Sequence, residues 1–150
     1  MMRRTVSLLL GSALVVLALP LQAAAAQISA VMYKNPDCTC CEGHAQYLRQ
    51  NGFRVDVKII ADLRSFKKKH GVPDALEGCH TILINGYVIE GHVPVSAIHK
   101  LLASHPKIRG ISIPGMPTGV PGMGGPREGP LAIYEIADGT AKPKVFTTMP

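Results

Sequence analysis

Tryptophan is absent from this 150-residue chain, and its aromatic rings come from only four Tyr and three Phe. The one basic run, Lys67-Lys68-Lys69, falls in a helical stretch with no aromatic ladder beside it. Without rings to stack bases, the run reads as a solvated helix face, and DNA and RNA are excluded as partners. An unbroken apolar run of membrane-spanning length, about 20 residues, is also missing. The nearest approach is Val6 to Leu19, broken by Gly11 and Ser12 and closed by Pro20 and Gln22. With Arg3 and Arg4 before it and Ala24-Ala25-Ala26 after it, this segment reads as a secretory signal peptide, residues 1–26, cut before Gln27. Retention as an N-terminal anchor is the alternative. Export implies the periplasm and a mature chain of 124 residues (150 − 26), a single-domain length. Its charge falls from +6 to +4, because two of the 16 basic residues leave and all 10 acidic ones stay.

Cysteine is scarce too, with four in the chain, but three of them stand in four residues, Cys38-Thr39-Cys40-Cys41. Three thiols cannot all pair with one another. The fourth, Cys79, precedes His80 and a second apolar run, so a fold joining the two segments gathers four sulfurs. An even count in an exported chain also allows two structural disulfides. The adjacent Cys40 and Cys41 suit that poorly, since disulfide geometry rarely fits vicinal pairs. Clustered thiolates are soft ligands that select Cu(I), zinc or iron–sulfur clusters, and a thiolate can bridge two Cu(I) ions.

Periodicity gives an α/β domain with a glycine-rich tail. Ile28 to Lys34 reads as a strand; Asn35-Pro36-Asp37 reads as a turn, with Asp37 able to cap the helix after it. Cys41, Ala45 and Leu48 have helical spacing up to a stop at Asn51-Gly52. Phe53, Val55, Val57 and Ile59 alternate as the buried face of a strand ending at Ile60. Leu63 and Phe66 mark a helix over Asp62 to His70, Asn85-Gly86 turns a hairpin between Thr81–Ile84 and Tyr87–Glu90, and Val95 to Ser104 is a third helix. The order is βαβαββα, the thioredoxin arrangement, with the cysteine motif at the start of the first helix. Partial positive charge and free N–H groups there stabilise a thiolate. His80 stands where such folds commonly carry a cis-proline. Downstream, the Pro/Gly-rich loop 114–126 carries two thioethers, Met116 and Met123, in a stretch with no core to fill. Thioether is a soft Cu(I) ligand that needs no deprotonation, so the loop is read as a lid over the thiolates. Leu131 to Phe146 reads as a terminal hairpin, 131–146, turning at Asp138-Gly139.

Four motifs in order, Tyr33-x-x-Pro36-x-Cys38-x-Cys40-Cys41, Cys79-His80-Thr81, Gly86 to Pro94 and Pro114-Gly115-Met116-Pro117, resemble the bacterial periplasmic copper-resistance proteins of the CopG type. The resemblance covers nearly all of residues 27–150. It implies a thioredoxin-like domain that binds copper through Cys38, Cys40, Cys41 and Cys79 and serves copper detoxification, with cycling between Cu(I) and Cu(II) left open. Other copper-resistance proteins or a redox partner are the implied protein partners. At Val120 and Gly124 this chain departs from the serine and glutamate usual in the family. His92 and His80 lie inside the motifs, and His44 lies one helical turn after Cys40 and Cys41, so all three join Met116 and Met123 as candidate ligands. His70, His99 and His105 read as surface residues. The rival functions are a thiol–disulfide oxidoreductase using Cys38-x-x-Cys41 and a copper chaperone without redox turnover.

Overall fold

The computed structural model describes residues 26–138 and 142–149. The expected signal peptide, apart from Ala26, and the expected turn residue Gly139 lie outside the described residues. Seven strands and three helices form a mixed α/β fold: β1 Ile28–Lys34, α1 Thr39–Gln50, β2 Phe53–Ile59, α2 Leu63–Lys69, β3 Thr81–Ile84, β4 Tyr87–Glu90, α3 Val95–Ser104, β5 Gly110–Ser112, β6 Leu131–Ile136 and β7 Val145–Met149. The strands make one sheet in the order β2-β1-β3-β4-β5-β6-β7. Parallel pairing joins β1 to β2 and β4 to β5; β1–β3, β3–β4, β5–β6 and β6–β7 are antiparallel. Among the described residues no helix is long and apolar enough to cross a membrane.

Strand alternation sorts the side chains onto two faces. Ala30 and Met32, Ile82 and Ile84, Ile89 and Ile111 are all buried with Cys41, Ala45 and Leu48 of α1 and Ala97, Ile98 and Leu101 of α3. Their neighbours in sequence serve the other face. Tyr33 stacks on Phe66 of α2 at 4.1 Å between ring centroids, while Leu83 and Val88 pack with Val72 and Leu76. Fully burying each Leu or Ile contributes roughly 1.5–3 kcal/mol, and a dozen large side chains are fully buried, so the core does not depend on a metal for its apolar content. The β3–β4 hairpin turns at Asn85 and Gly86 with φ of 47° and 84°, the doubly left-handed turn that Asn-Gly favours.

Several expectations give way to the structure. The first helix starts at Thr39, and its cap residue is Cys38 without a side-chain cap, so Asp37 does not fill that role. Ile59 is 62% exposed, because the buried face of β2 ends at Val57. Lys67 is no part of a solvated face: it sits one turn from Leu63, on the buried side of α2, while Lys68 and Lys69 are exposed. Strand β5 and a 3₁₀ turn at Asp74–Leu76 have no counterpart among the elements expected from periodicity, and β7 continues the terminal hairpin to Met149.

Candidate metal centre

Cys38, Cys40 and Cys41 enter the site from the start of α1, and Cys79 enters from the loop before β3. Because β1 leads into α1 and pairs with β3 at Tyr33 and Thr81, the two segments finish side by side. Gly78, just before Cys79, abuts Gly91, just before His92: a Cβ on Gly78 would lie 2.6 Å from the Gly91 Cα. Only two glycines permit that backbone approach. The Cys79 Sγ lies 3.0 Å from Cys38 Sγ, 3.2 Å from Cys40 Sγ and 3.4 Å from Cys41 Sγ, and Cys38 and Cys40 are 3.5 Å apart. The four residues are close enough to hold a metal ion together.

Cys38 and Cys41 are joined by a disulfide, while Cys40 and Cys79 are free. The bond joins the pair named in the oxidoreductase alternative, Cys38-x-x-Cys41, and one disulfide stands where the structural alternative had two. Three-residue spacing at a helix start puts the two Cα atoms 5.5 Å apart, within disulfide range. Burial, followed by a hydrogen bond with Cys40, pushes the Cys79 thiol up to about 12, against the opposing pull of the Lys67 ammonium. Cys79 is therefore a protonated thiol at neutral pH until a cation displaces its proton.

Three histidines sit behind the sulfurs. His44, His80 and His92 are all buried, with ring centroids 4.8–5.0 Å apart. His44, whose spacing also allowed an exposed helix position, faces inward. Burial holds the His44 imidazole down to about 3, and it lowers His80 and His92 as well. All three are neutral, so each carries one N–H. His44 Nε2 donates to the Val93 carbonyl at 3.0 Å, which leaves its Nδ1 to accept from His80 Nε2 at 2.8 Å. His92 Nδ1 donates to the Pro121 carbonyl at 2.7 Å. Both hydrogen bonds at the far ends go to carbonyls, which only accept, so the tautomers follow. His80 Nδ1 and His92 Nε2 then remain as bare lone pairs, buried and without a hydrogen-bond partner.

The Pro/Gly loop straddles this group. It starts at Gly115, whose N–H donates to the Glu77 carbonyl at 2.8 Å and which bridges to Gly78 beside the Cys79 loop. It returns at Pro121, bonded to His92, and at Gly122, where a Cβ would come within 2.4 Å of the His44 backbone N. Met123 is half-buried and packs on the core that includes Cys41; Met116 is 61% exposed. Of the other histidines, His99 and His105 are exposed, as the sequence indicates, and His70 is half-buried against Phe66 at 4.2 Å.

Three charged residues of the site, Lys67, Glu90 and Lys34, are not among the candidate site residues read from the sequence, although Glu90 lies inside the motif Gly86 to Pro94. Lys67 Nζ donates to Glu90 Oε1 and to the Gly78 carbonyl, each at 2.5 Å, with both side chains buried. Glu90 also accepts from the Gly78 N–H at 2.7 Å and from Thr81 Oγ1 at 2.6 Å. These bonds clamp the residues on either side of Cys79-His80. Across the site Lys34, also buried, donates to the carbonyls of Asn35, Pro36 and Cys38 and fixes the turn into α1. The helical spacing of Leu63 and Lys67 is the signal that could have revealed the clamp. Of the two buried ammonium groups, Lys67 is the one that pulls on the Cys79 thiol, against the Glu90 carboxylate it is paired with, while Lys34 is ion-paired with Glu42 at 3.2 Å.

The donor set fits a soft metal: sulfur predominates, and the nearby bare nitrogens are in the form that ligates. Residues 76–123, which include Cys79, His80, His92, Met116 and Met123, match the family described as "Protein of unknown function, DUF411". No curated protein matches the chain. Two solved structures, "Copper resistance protein copG" in Form 2 and Form 1, are each similar at 32% identity with a TM-score of 0.75. Both comparisons cover 83% of this chain, and 99% and 98% of the respective structures.

Proposed function

Because the chain belongs to the CopG family of copper resistance proteins, we propose that it is an exported, periplasmic copper-binding protein with a thioredoxin-like core, holding Cu(I) through Cys38, Cys40, Cys41 and Cys79. The observation that carries this reading is the convergence of the sulfurs of Cys38, Cys40 and Cys41 on that of Cys79, at 3.0, 3.2 and 3.4 Å. Cu(I) prefers thiolate sulfur, and one thiolate can serve two ions, so four clustered thiolates take more than one Cu(I).

The disulfide makes loading conditional. Reduction of the Cys38–Cys41 bond consumes two electrons and two protons and yields two thiols; Cu(I) then displaces a proton from each thiol it binds. Lys67 partly offsets the negative charge left on the sulfurs. Met123 and Met116 belong to the loop that contacts Gly78, His44 and His92 and are proposed as a lid, with Met123, half-buried on the core, the better candidate of the two. The reductant is an exported dithiol or another copper-resistance protein, and cycling between Cu(I) and Cu(II) requires a one-electron acceptor that oxidises the bound Cu(I) and a donor that returns the electron.

The test is an anaerobic Cu(I) titration of the mature protein in its reduced and disulfide forms. The reduced form should bind more than one equivalent and the disulfide form fewer; Cys79→Ser should lower the count in the reduced form. Equal stoichiometry in the reduced parent and Cys79→Ser contradicts the four-sulfur site. A second reading, thiol–disulfide oxidoreductase, is favoured by the Cys38–Cys41 bond at the start of α1. Turnover in insulin reduction with a dithiol donor, unaffected by Cys40→Ser, would select it.

A further inference from the structure

The sheet has two edges, β2 and β7, and they are finished differently. Along β2, Arg54, Asp56 and Lys58 are exposed and charged, the usual guard against a further strand. Strand β7, Val145–Met149, reads Val-Phe-Thr-Thr-Met: it has no charge and no proline, and its first four residues are β-branched or aromatic. It pairs only with β6 among the described residues, so its outer row of N–H and C=O groups is open. Beside it runs α3. Thr147 and Met149 pair with Ile133 and Leu131, and Phe146 and Met149 pack on the core that holds Ala97, Ile98 and Leu101, so this side of β7 faces the helix. Between strand and helix, Ser96, Ala97, Lys100, Thr147, Thr148 and Met149 line a groove of about 260 Å³. Lys100 is exposed on its rim. Its Nζ donates to Thr147 Oγ1 at 3.0 Å and lies 5.2 Å from the Phe146 ring centroid, which leaves two ammonium hydrogens for another acceptor. An open edge strand with a side-chain groove beside it is the arrangement that takes up an extended peptide as an added strand.

Charge decides the occupant. A second copy would add its own β7 about a two-fold axis normal to the sheet, which keeps both α3 helices on one face and brings both Lys100 ammonium groups to one seam. Like charges there oppose self-pairing. Nothing acidic lies in α3 or β7, and Glu135 on β6 already pairs with Lys144 at 3.4 Å, so the missing complement of Lys100 is a carboxylate from outside. We propose that β7 and α3 dock an extended acidic segment of a partner protein, which joins the sheet as an eighth strand, sets a carboxylate side chain on Lys100 and places a small apolar side chain in the groove. Backbone pairing supplies the affinity and the carboxylate the selection. Four strand steps separate β7 from β3, whose preceding loop carries Cys79, or about 19 Å at the usual strand spacing. A docked segment therefore leaves the sulfurs uncovered, and the proposal stands independently of the copper reading.

The probe is a peptide blocked at both ends, Ser-Val-Thr-Glu-Thr-Val-Ser, titrated to millimolar concentration into the metal-free mature chain and followed by amide NMR. Resonances of Val145 to Met149 and of Ser96 to Lys100 should shift, those of Phe53 to Ile59 on the opposite edge should not, and β7 amides should gain protection from hydrogen exchange. Gln in place of the peptide's Glu should weaken binding about threefold at low salt, as expected for one exposed ion pair, and Lys in its place should weaken it further. Lys100→Glu should invert that order, so that the Lys peptide binds more tightly than the Glu peptide; the position is exposed, so the variant keeps the fold. Methylating the peptide's backbone nitrogens should abolish binding, which separates strand addition from charge attraction alone. Absence of shifts at β7 at the highest peptide concentration, an order of preference unchanged in Lys100→Glu, or undiminished binding of the methylated peptide overturns the proposal. A concentration-dependent dimer in sedimentation, with β7 amides already protected, overturns it too, because the occupant is then a second copy. Since the protein is free of metal, a failed peptide titration leaves the four-sulfur site standing, and a failed Cu(I) titration leaves this surface standing.

Discussion

Lowering the pH from 7 to 5 should destabilise the metal-free protein steeply, and the buried histidines set the size of the effect. An unfolded histidine titrates near 6.5, whereas burial holds folded His44 to about 3. A group whose folded pKa is depressed stabilises the protein above its unfolded pKa and loses that contribution as pH falls toward the folded one. For His44 the loss therefore begins near pH 6.5 and continues down to about 3. At pH 5 the deficit is 1.5 pH units, or about 2 kcal/mol at 1.36 kcal/mol per unit. His80 and His92 are shifted the same way by the same cause and add to it. Glu90 opposes them, since burial raises its carboxyl and so favours the folded state as pH falls toward the carboxylate range, but it is one group against three. Total stability of a domain this size is about 5–15 kcal/mol, so the loss is a large share. Urea unfolding at pH 7, 6 and 5, followed by circular dichroism with chelator present, should show the midpoint falling by roughly 1 M or more between the extremes. A midpoint that is flat or rises toward pH 5 would refute the buried, neutral assignment of the three rings.

Other consequences can be checked separately. Lys67→Met leaves the Glu90 carboxylate buried without its cation and should cost about 3–5 kcal/mol in chemical denaturation, much of it recovered in Lys67→Met/Glu90→Leu; a loss under about 1 kcal/mol would mean that the pair does not clamp the Cys79 loop. Met123→Leu, which keeps apolar bulk while removing the thioether, should speed chelator capture of bound Cu(I), and Met116→Leu, at an exposed position, should do so less; equal rates in both variants and the parent would reduce the loop to packing. Reduced, metal-free protein should still unfold cooperatively on heating, because the apolar core is built from strands and helix faces and not around a metal. A chain without a folded baseline would point instead to metal-coupled folding.

The elements that periodicity marks strongly are legible without a structure. The Asn85-Gly86 hairpin and the helix Val95–Ser104 occur at the residues the spacing indicates, and the juxtaposition of Cys79 with the CxCC motif follows from the βαβαββα order. Strand β5 is three residues long and comes after a loop rich in Lys, Arg and Pro, so it carries no pattern to read. The histidine wall was legible as separate candidates but not as a set: nothing local to His44 says that its ring bonds to His80 and Val93. The Lys67–Glu90 pair was hidden because a lysine run ordinarily faces water, and only the shared face with Leu63 argues otherwise. The Cys38-x-x-Cys41 spacing marks a candidate redox pair, but spacing alone does not choose between that bond and four free ligands.

Copper X-ray absorption of the reduced mature protein, loaded anaerobically with Cu(I), addresses the central claim most directly, because it reads the atoms bound to the metal. The four-sulfur site predicts a first shell dominated by sulfur together with a short copper–copper vector, and Cys79→Ser should remove the vector. A first shell of nitrogen and oxygen alone, with no sulfur, would contradict the account.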